Sequence, residues 1–411
     1  MPRFALASHK VVHTRTAETP KDKPSKFAWF AQSKVCFPLL AIVAALLIYG
    51  LITVRSVTLV DADYSFSRQL FGVVIGIGVM ALFWKFDYRK FGEWFVPLLV
   101  IDIVLILLPL VPGLGIEANG ATSWIKVGSF TFQPSEIAKP VTIVVMASAT
   151  ARYGGTIVSA SDFFRLFALI LIPFVLLATE DLGSALVILI SGFVIMFVGG
   201  LDRKWIVLTL VCGVLGVAVL LGANSVVNTF TGGSVQLIKP YQMSRLLVFV
   251  DQDNPDYADD AYNLNQAKIA VGSGEVVGKG YGNATQSSGG FLPEAATDFI
   301  FCVVAEQFGF VGSFVLIGLY LALLLVALSI GLRAGDLFGS LIVSGVMGMW
   351  LFQIVENIGM DLGLMPITGI PLPFMSYGSS FMIMNFICIG MLMSIWMRKG
   401  DNPVNTNDIQ N

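Results

Sequence analysis

Apolar segments long enough to cross a lipid bilayer recur along this chain, and they leave few folds open to it. A helix needs about 20 predominantly apolar residues to span the hydrocarbon core. Such stretches are read near residues 36–54, 68–86, 94–112, 137–151, 164–179, 182–201, 205–222, 299–332, 338–362 and 379–397. Charged residues make up 13% of the chain, against about 25% in a soluble domain. The expected fold class is therefore an all-α integral membrane protein of ten transmembrane helices. A long loop, residues 223–297, is expected between the seventh and eighth spans.

Charge orients this plan. Residues 1–34 hold seven Lys/Arg against Glu18 and Asp22 and read as a cytoplasmic basic tail. The first apolar stretch is already long enough to span, so no cleaved signal peptide is expected. With the tail inside, the inner turns carry Lys85, Arg89, Lys90, Arg152, Arg165, Arg203, Lys204, Arg333, Arg398 and Lys399, as the positive-inside rule requires. A membrane domain then covers 35–399 and a cytoplasmic tail 400–411, with both termini inside and the loop 223–297 extracytoplasmic. Both histidines, His9 and His13, lie in the tail, so the membrane domain has no imidazole. The four cysteines lack CxxC spacing and read as buried thiols rather than a disulfide or metal set.

Ionisable groups inside or beside apolar segments are costly unless they face a cavity or a partner, which makes them functional hypotheses. The run from Gln286 to Glu306 holds three carboxylates, Glu294, Asp298 and Glu306. Helical spacing puts Asp298, Cys302, Ala305 and Gly309 on one face. Glu136 and Lys139, at i and i+3, are close enough to pair. Gln353, Glu356, Asn357 and Asp361 form a polar stripe on the ninth span, read either as interhelical hydrogen bonds or as a polar pathway. Asp298 stands apart, at the outer mouth of the eighth span with no basic residue within eight positions. The run Gly272 to Gly280 lacks the spacing of a nucleotide-binding P-loop. Its glycines and Lys279 could still hold a lipid diphosphate. Within the loop, Tyr262–Ala270 reads as a short amphipathic helix.

The stretches Asn119–Lys139, Glu180–Ala185, Phe291–Phe301 and Pro366–Gly378 resemble the SEDS family, the RodA and FtsW peptidoglycan polymerases, over about residues 36–399. The resemblance implies a glycosyltransferase that polymerises lipid II, an undecaprenyl-diphosphate-linked precursor, on the outer face of the bacterial cytoplasmic membrane. It implies a class B penicillin-binding transpeptidase as partner besides membrane lipid, with no nucleic acid and no organic cofactor. The family's essential aspartate falls on Asp298, its glutamate–lysine pair on Glu136 and Lys139, and a further aspartate on Asp181. Gln266–Gly274 and Asn357–Met360 resemble the RodA, or elongation, branch more than the division-specific FtsW. Ala296 stands where members often carry histidine, Gly290 where an acidic residue is usual, and Gln307 where a second glutamate is.

The implied chemistry needs a base for the acceptor hydroxyl, and a shielded carboxylate at Asp298 suits that task. The departing diphosphate needs positive charge from Lys139, Lys279, Arg245, or a divalent cation (Mg2+ or Mn2+) on oxygen ligands, with Asp298 a possible one. Lys126, Glu136, Asp181, Lys268, Gln286, Glu294, Glu306 and Ser376 complete the expected substrate-binding set. The rival readings are a lipid II flippase or transporter and a non-catalytic scaffold. Polar groups crowd the outer half of the chain's spans, where a transporter would spread them through the whole depth.

Overall fold

The computed structural model describes residues 33–399, apart from 119–120, 128–129, 214, 217–221, 223–238, 250, 252–257 and 288. Both expected tails therefore lie almost wholly outside the described residues, as do much of the seventh span's second half and the start of the long loop.

Twelve helices can be labelled among the described residues. They are α1 (Phe37–Thr58), α2 (Phe66–Lys85), α3 (Arg89–Glu93), α4 (Phe95–Leu107), α5 (Pro134–Ala151) and α6 (Ala160–Ala178), then α7 (Leu182–Val198), α8 (Pro240–Leu247), α9 (Ala258–Ser273), α10 (Ile300–Gly331), α11 (Leu337–Asp361) and α12 (Ser379–Met397). Residues 203–213 are helical as well. Six helices, α1, α2, α6, α10, α11 and α12, are long and apolar enough to cross a membrane. Helix α7 and the segment Phe95–Leu110 are apolar but shorter. Helix α5 carries Glu136, Lys139 and Pro140 in its first two turns, which lowers its apolar content while leaving it almost fully buried.

Burial follows from which helices are wrapped by others. Helix α5 packs against α4, α7, α11 and α12, and α12 lies along α2. The interior therefore centres on α5, α11 and α12. The outer helices α1, α2 and α6 leave rows of large apolar side chains exposed, such as Ile48, Val74 and Ile172, as a lipid-facing surface requires.

Three features depart from the all-α expectation of spans joined by plain loops. First, residues 115–132 form a three-stranded antiparallel sheet: β1 (Gly115–Ala118), β2 (Ala121–Val127) and β3 (Phe130–Phe132), with Ile116 opposite Trp124 and Lys126 opposite Thr131. Thr, Trp, Ile and Val in β2 and the aromatics of β3 suit a pleated surface, but strands this short, set among glycines, read as loop. Second, the long loop contains α8 and α9, and α9 extends the expected helix at both ends. Third, α10 is broken. Gly309 adopts φ 64°, ψ −159°, a conformation open to glycine. There the amides of Phe310 and Val311 turn to the carbonyls of Glu275 and Val276 at 2.9 and 3.0 Å.

Candidate functional site

Asp298 does not ride on the helix, as its spacing with Cys302 and Gly309 suggested. Helix α10 starts at Ile300, and Asp298 sits in the turn before it. Glu294 makes that turn. It takes a positive φ of 53°, and its carbonyl accepts from the amides of Thr297, Asp298 and Phe299 at 3.1–3.2 Å. A non-glycine residue in the left-handed region stores strain and persists where its surroundings hold it. Here Tyr64 Oη and Thr297 Oγ1 each donate to Glu294 Oε2 at 2.8 Å.

The turn opens on a cavity of about 260 Å3, lined by side chains from several remote segments. Helix α5 contributes Glu136 and Lys139, and the start of α7 contributes Asp181. The segment Ile367–Pro371 forms one wall, α8 contributes Gln242 and Arg245, and Glu294, Thr297 and Asp298 complete the ring. Asp298 is half-buried there. Burial, then the like charge of Glu294, push its carboxyl up to about 7, with Arg245 opposing the rise. Gly369 explains how the two charges approach: at φ 70°, a Cβ added to it would lie 2.9 Å from Asp298 Oδ2 and 3.0 Å from Arg245 Nη1.

Lys139 Nζ donates to Glu136 Oε1 at 2.7 Å, both side chains no more than 3% exposed. Removing one partner of such a pair strands the other charge, at about 3–5 kcal/mol. Asp181 caps α7, its Oδ1 accepting from Ser184 N at 2.9 Å and its Oδ2 from Gln133 Nε2 at 3.0 Å. Glu180 beside it accepts from Lys239 Nζ and Thr122 N, both at 2.8 Å. Burial alone would raise the Glu180 carboxyl, but these two donors hold it below the usual range. Gln242 donates to Ala178 O at 3.0 Å, so α8 is tied across the mouth of α6 and α7.

Six expected residues thus meet at one cavity: Glu136, Lys139, Asp181, Arg245, Glu294 and Asp298. The other six do not line it. Lys126 lies exposed on β2, and Lys268 packs its side chain against Gly363. Glu306 is fully buried in α10 and accepts from Lys279 Nζ at 2.7 Å and from the amides of Thr285, Gln286 and Ser287 at 2.7–3.1 Å. Lys279 and the Gln286 backbone are thus committed to Glu306. Ser376 is fully buried, accepting from Leu372 N and donating to Thr297 O. Glu306 and Ser376 are turned inward because a buried carboxylate or hydroxyl takes up the donors and acceptors around it. Residues missed as site members include Glu180, Gln242 and Thr297. The i, i+3 spacing of Gln242 and Arg245 was the available signal.

Chemically, the cavity offers a carboxyl poised near neutrality beside an arginine and a lysine–glutamate pair. Such a group can take a proton from a hydroxyl. Among the described residues, no three His, Cys, Asp or Glu side chains gather closely enough to hold a metal by themselves. The lone carboxylates fit an ion held mainly by phosphate oxygens and water, the usual manner of Mg2+.

Comparison with known proteins bears on the whole membrane domain. The chain is 33% identical over 375 residues to the peptidoglycan glycosyltransferase MrdB of Escherichia coli K12, covering 91% of this chain and 96% of that one. A solved chain from work on structural coordination of polymerization and crosslinking by a peptidoglycan synthase complex superposes with a TM-score of 0.72 at 29% identity, covering 90% of this chain and 99% of that one. The rod shape determining protein RodA of Thermus thermophilus superposes with a TM-score of 0.64 at 28% identity, covering 90% and 98%. Residues 32–400 match the family described as cell cycle protein, which groups FtsW, RodA and SpoVE, and this multi-pass membrane protein belongs to it.

Proposed function

We propose that the chain is a peptidoglycan glycosyltransferase that polymerises lipid II at the Asp298 cavity, on the outer face of the bacterial cytoplasmic membrane. One observation carries this reading: a carboxyl raised toward neutrality opens on the same cavity as Arg245 and Lys139, the cations a diphosphate leaving group calls for. Asp298 accepts the proton of the acceptor sugar's 4-hydroxyl as that oxygen bonds to the donor's anomeric carbon. The bond from that carbon to the lipid diphosphate breaks, and its electron pair leaves with the phosphate oxygen. Arg245 stands where this developing charge would be met, and Lys139 lines the same cavity in its pair with Glu136. When bound, Mg2+ or Mn2+ would add positive charge to the diphosphate, and Asp298 and Glu294 are the cavity carboxylates that would share it.

The ten-span plan with both termini cytoplasmic and residues 223–297 outside is part of this reading, supported by the distribution of Lys and Arg. So is a class B penicillin-binding transpeptidase as partner, supported by the likeness to a chain from a peptidoglycan synthase complex. The RodA-like motifs favour a role in elongation and cell shape. A flippase would use the α11 stripe as a pathway. There Asn357 Nδ2 is engaged by backbone carbonyls and one Glu356 oxygen by Thr368, and the charged lining of the Asp298 cavity favours the enzyme. The test is purified Asp298→Asn incubated with lipid II. We expect no glycan strands from a folded protein; glycan at the wild-type yield would refute the assignment.

A further inference from the structure

Three successive peptide carbonyls lead up to Asp298, and each is held by a donor from a distant part of the chain. The Ala296 carbonyl accepts from Tyr377 N at 2.8 Å. The Thr297 carbonyl accepts from Ser376 Oγ at 2.6 Å. The Asp298 carbonyl accepts from Asn357 Nδ2 at 2.6 Å. The same Asn357 nitrogen also donates to Ile370 O at 2.9 Å. Both of its partners are carbonyls, which only accept, so the atom between them has to be the amide nitrogen. Asn357 and Ser376 are fully buried, and Ser376 is itself oriented by Leu372 N at 2.8 Å.

The consequence is geometric. Ile370 belongs to the wall that includes Gly369, across which Arg245 meets Asp298. One side chain on α11 therefore ties the backbone bearing the carboxyl to the backbone that spaces it from its arginine. Ordinary loop packing would leave that spacing to apolar contacts, which tolerate shifts of an ångström. Two hydrogen bonds from one planar amide do not.

We infer that Asn357 and Ser376 are positioning residues for the transfer reaction: they clamp the carbonyls of Asp298 and Thr297, set the carboxyl's place relative to Arg245, and touch no substrate. The inference rests on Asp298 being the proton acceptor. Misplacing a reacting group by about an ångström costs on the order of a hundredfold in rate, so the clamp acts on turnover rather than on binding.

The test uses full-length purified chain and lipid II. Asn357→Asp keeps the side chain's size but replaces the double donor, and Ser376→Ala removes one hydroxyl. We expect kcat to fall on the order of a hundredfold for Asn357→Asp and about tenfold for Ser376→Ala, with KM within about twofold of wild type. In an Asp298→Asn background, lipid II affinity should be unchanged by either substitution. If Asn357→Asp does not fold, Ser376→Ala alone decides. Unchanged kcat overturns the clamp, and so does a loss of lipid II binding that matches the loss of rate. Wild-type turnover by Asp298→Asn alone would overturn the base itself, a different failure from that of the clamp.

Discussion

Asp298 and Glu306 are eight residues apart at the head of one helix, and they are opposite solutions to a carboxyl away from bulk water. Glu306 is surrounded by donors: a lysine, three consecutive amides and the hydroxyls of Thr285 and Ser287. Asp298 has Asn357 on its backbone carbonyl, while its carboxyl, with fewer donors than Glu306 has, faces a cavity beside Thr297 and Arg245. A carboxylate with its acceptor sites filled by donors holds a fold together. One left short of donors keeps its proton longer and stays available for chemistry. Position in sequence separates the two less than the account of who donates to each.

The contrast breaks most sharply at Asp298. Asp298→Asn should lower glycan synthesis by about a thousandfold or more, measured with lipid II, within the range expected for loss of a general base. The same substitution removes a group whose ionisation the folded state opposes. Its pKa rises from an ordinary value near 3.9 to about 7 in the fold. The carboxyl's contribution to stability is therefore present in full below about pH 4 and is lost as pH rises through 7. Asp298→Asn should accordingly melt no lower than wild type at pH 8. Melting well below wild type there would show the carboxylate to be structural.

Glu306→Ala should act on folding instead. It leaves Lys279 and three amides without their acceptor and should destabilise by about 3–5 kcal/mol, read as loss of folded protein in detergent. A folded but inactive variant would return Glu306 to the substrate. The rate should also follow pH. Asp298 must be ionised to accept a proton, so turnover should fall about tenfold per unit below pH 7 and level off above it. Chelation should stop synthesis, with recovery on adding Mg2+ or Mn2+, if the diphosphate needs the ion proposed. Lys126→Ala, on the exposed strand, should change the rate by less than about twofold.

Much of this was legible in the chain. The limits of α12 agree residue for residue with the apolar run, and those of α10 and α11 fall within one residue. Lipid demands continuous apolar helices, and composition records that directly. Glu136 and Lys139 were legible as a pair because helical spacing is local. The approach of Arg245 to Asp298 was not, since some fifty residues separate them and glycine at position 369 has no charge to announce it. Ser376 was misread for a related reason. A serine in a polar motif near a site looks like a ligand contact, and nothing in its neighbours shows that its hydroxyl is bonded to a carbonyl 79 positions away. Backbone acceptors carry no residue signature.

The break at Gly309 has a consequence for biogenesis. At the break the amides of Phe310 and Val311 are met by the carbonyls of Glu275 and Val276, from the segment translated just before the helix. Lipid tails offer no acceptor in their place. The segment that carries Glu275 and Val276 and the helix that follows it therefore mature together as one insertion unit. A chain cut between them would leave a transmembrane rod with bare donors, prone to quality-control degradation even where every apolar residue is intact.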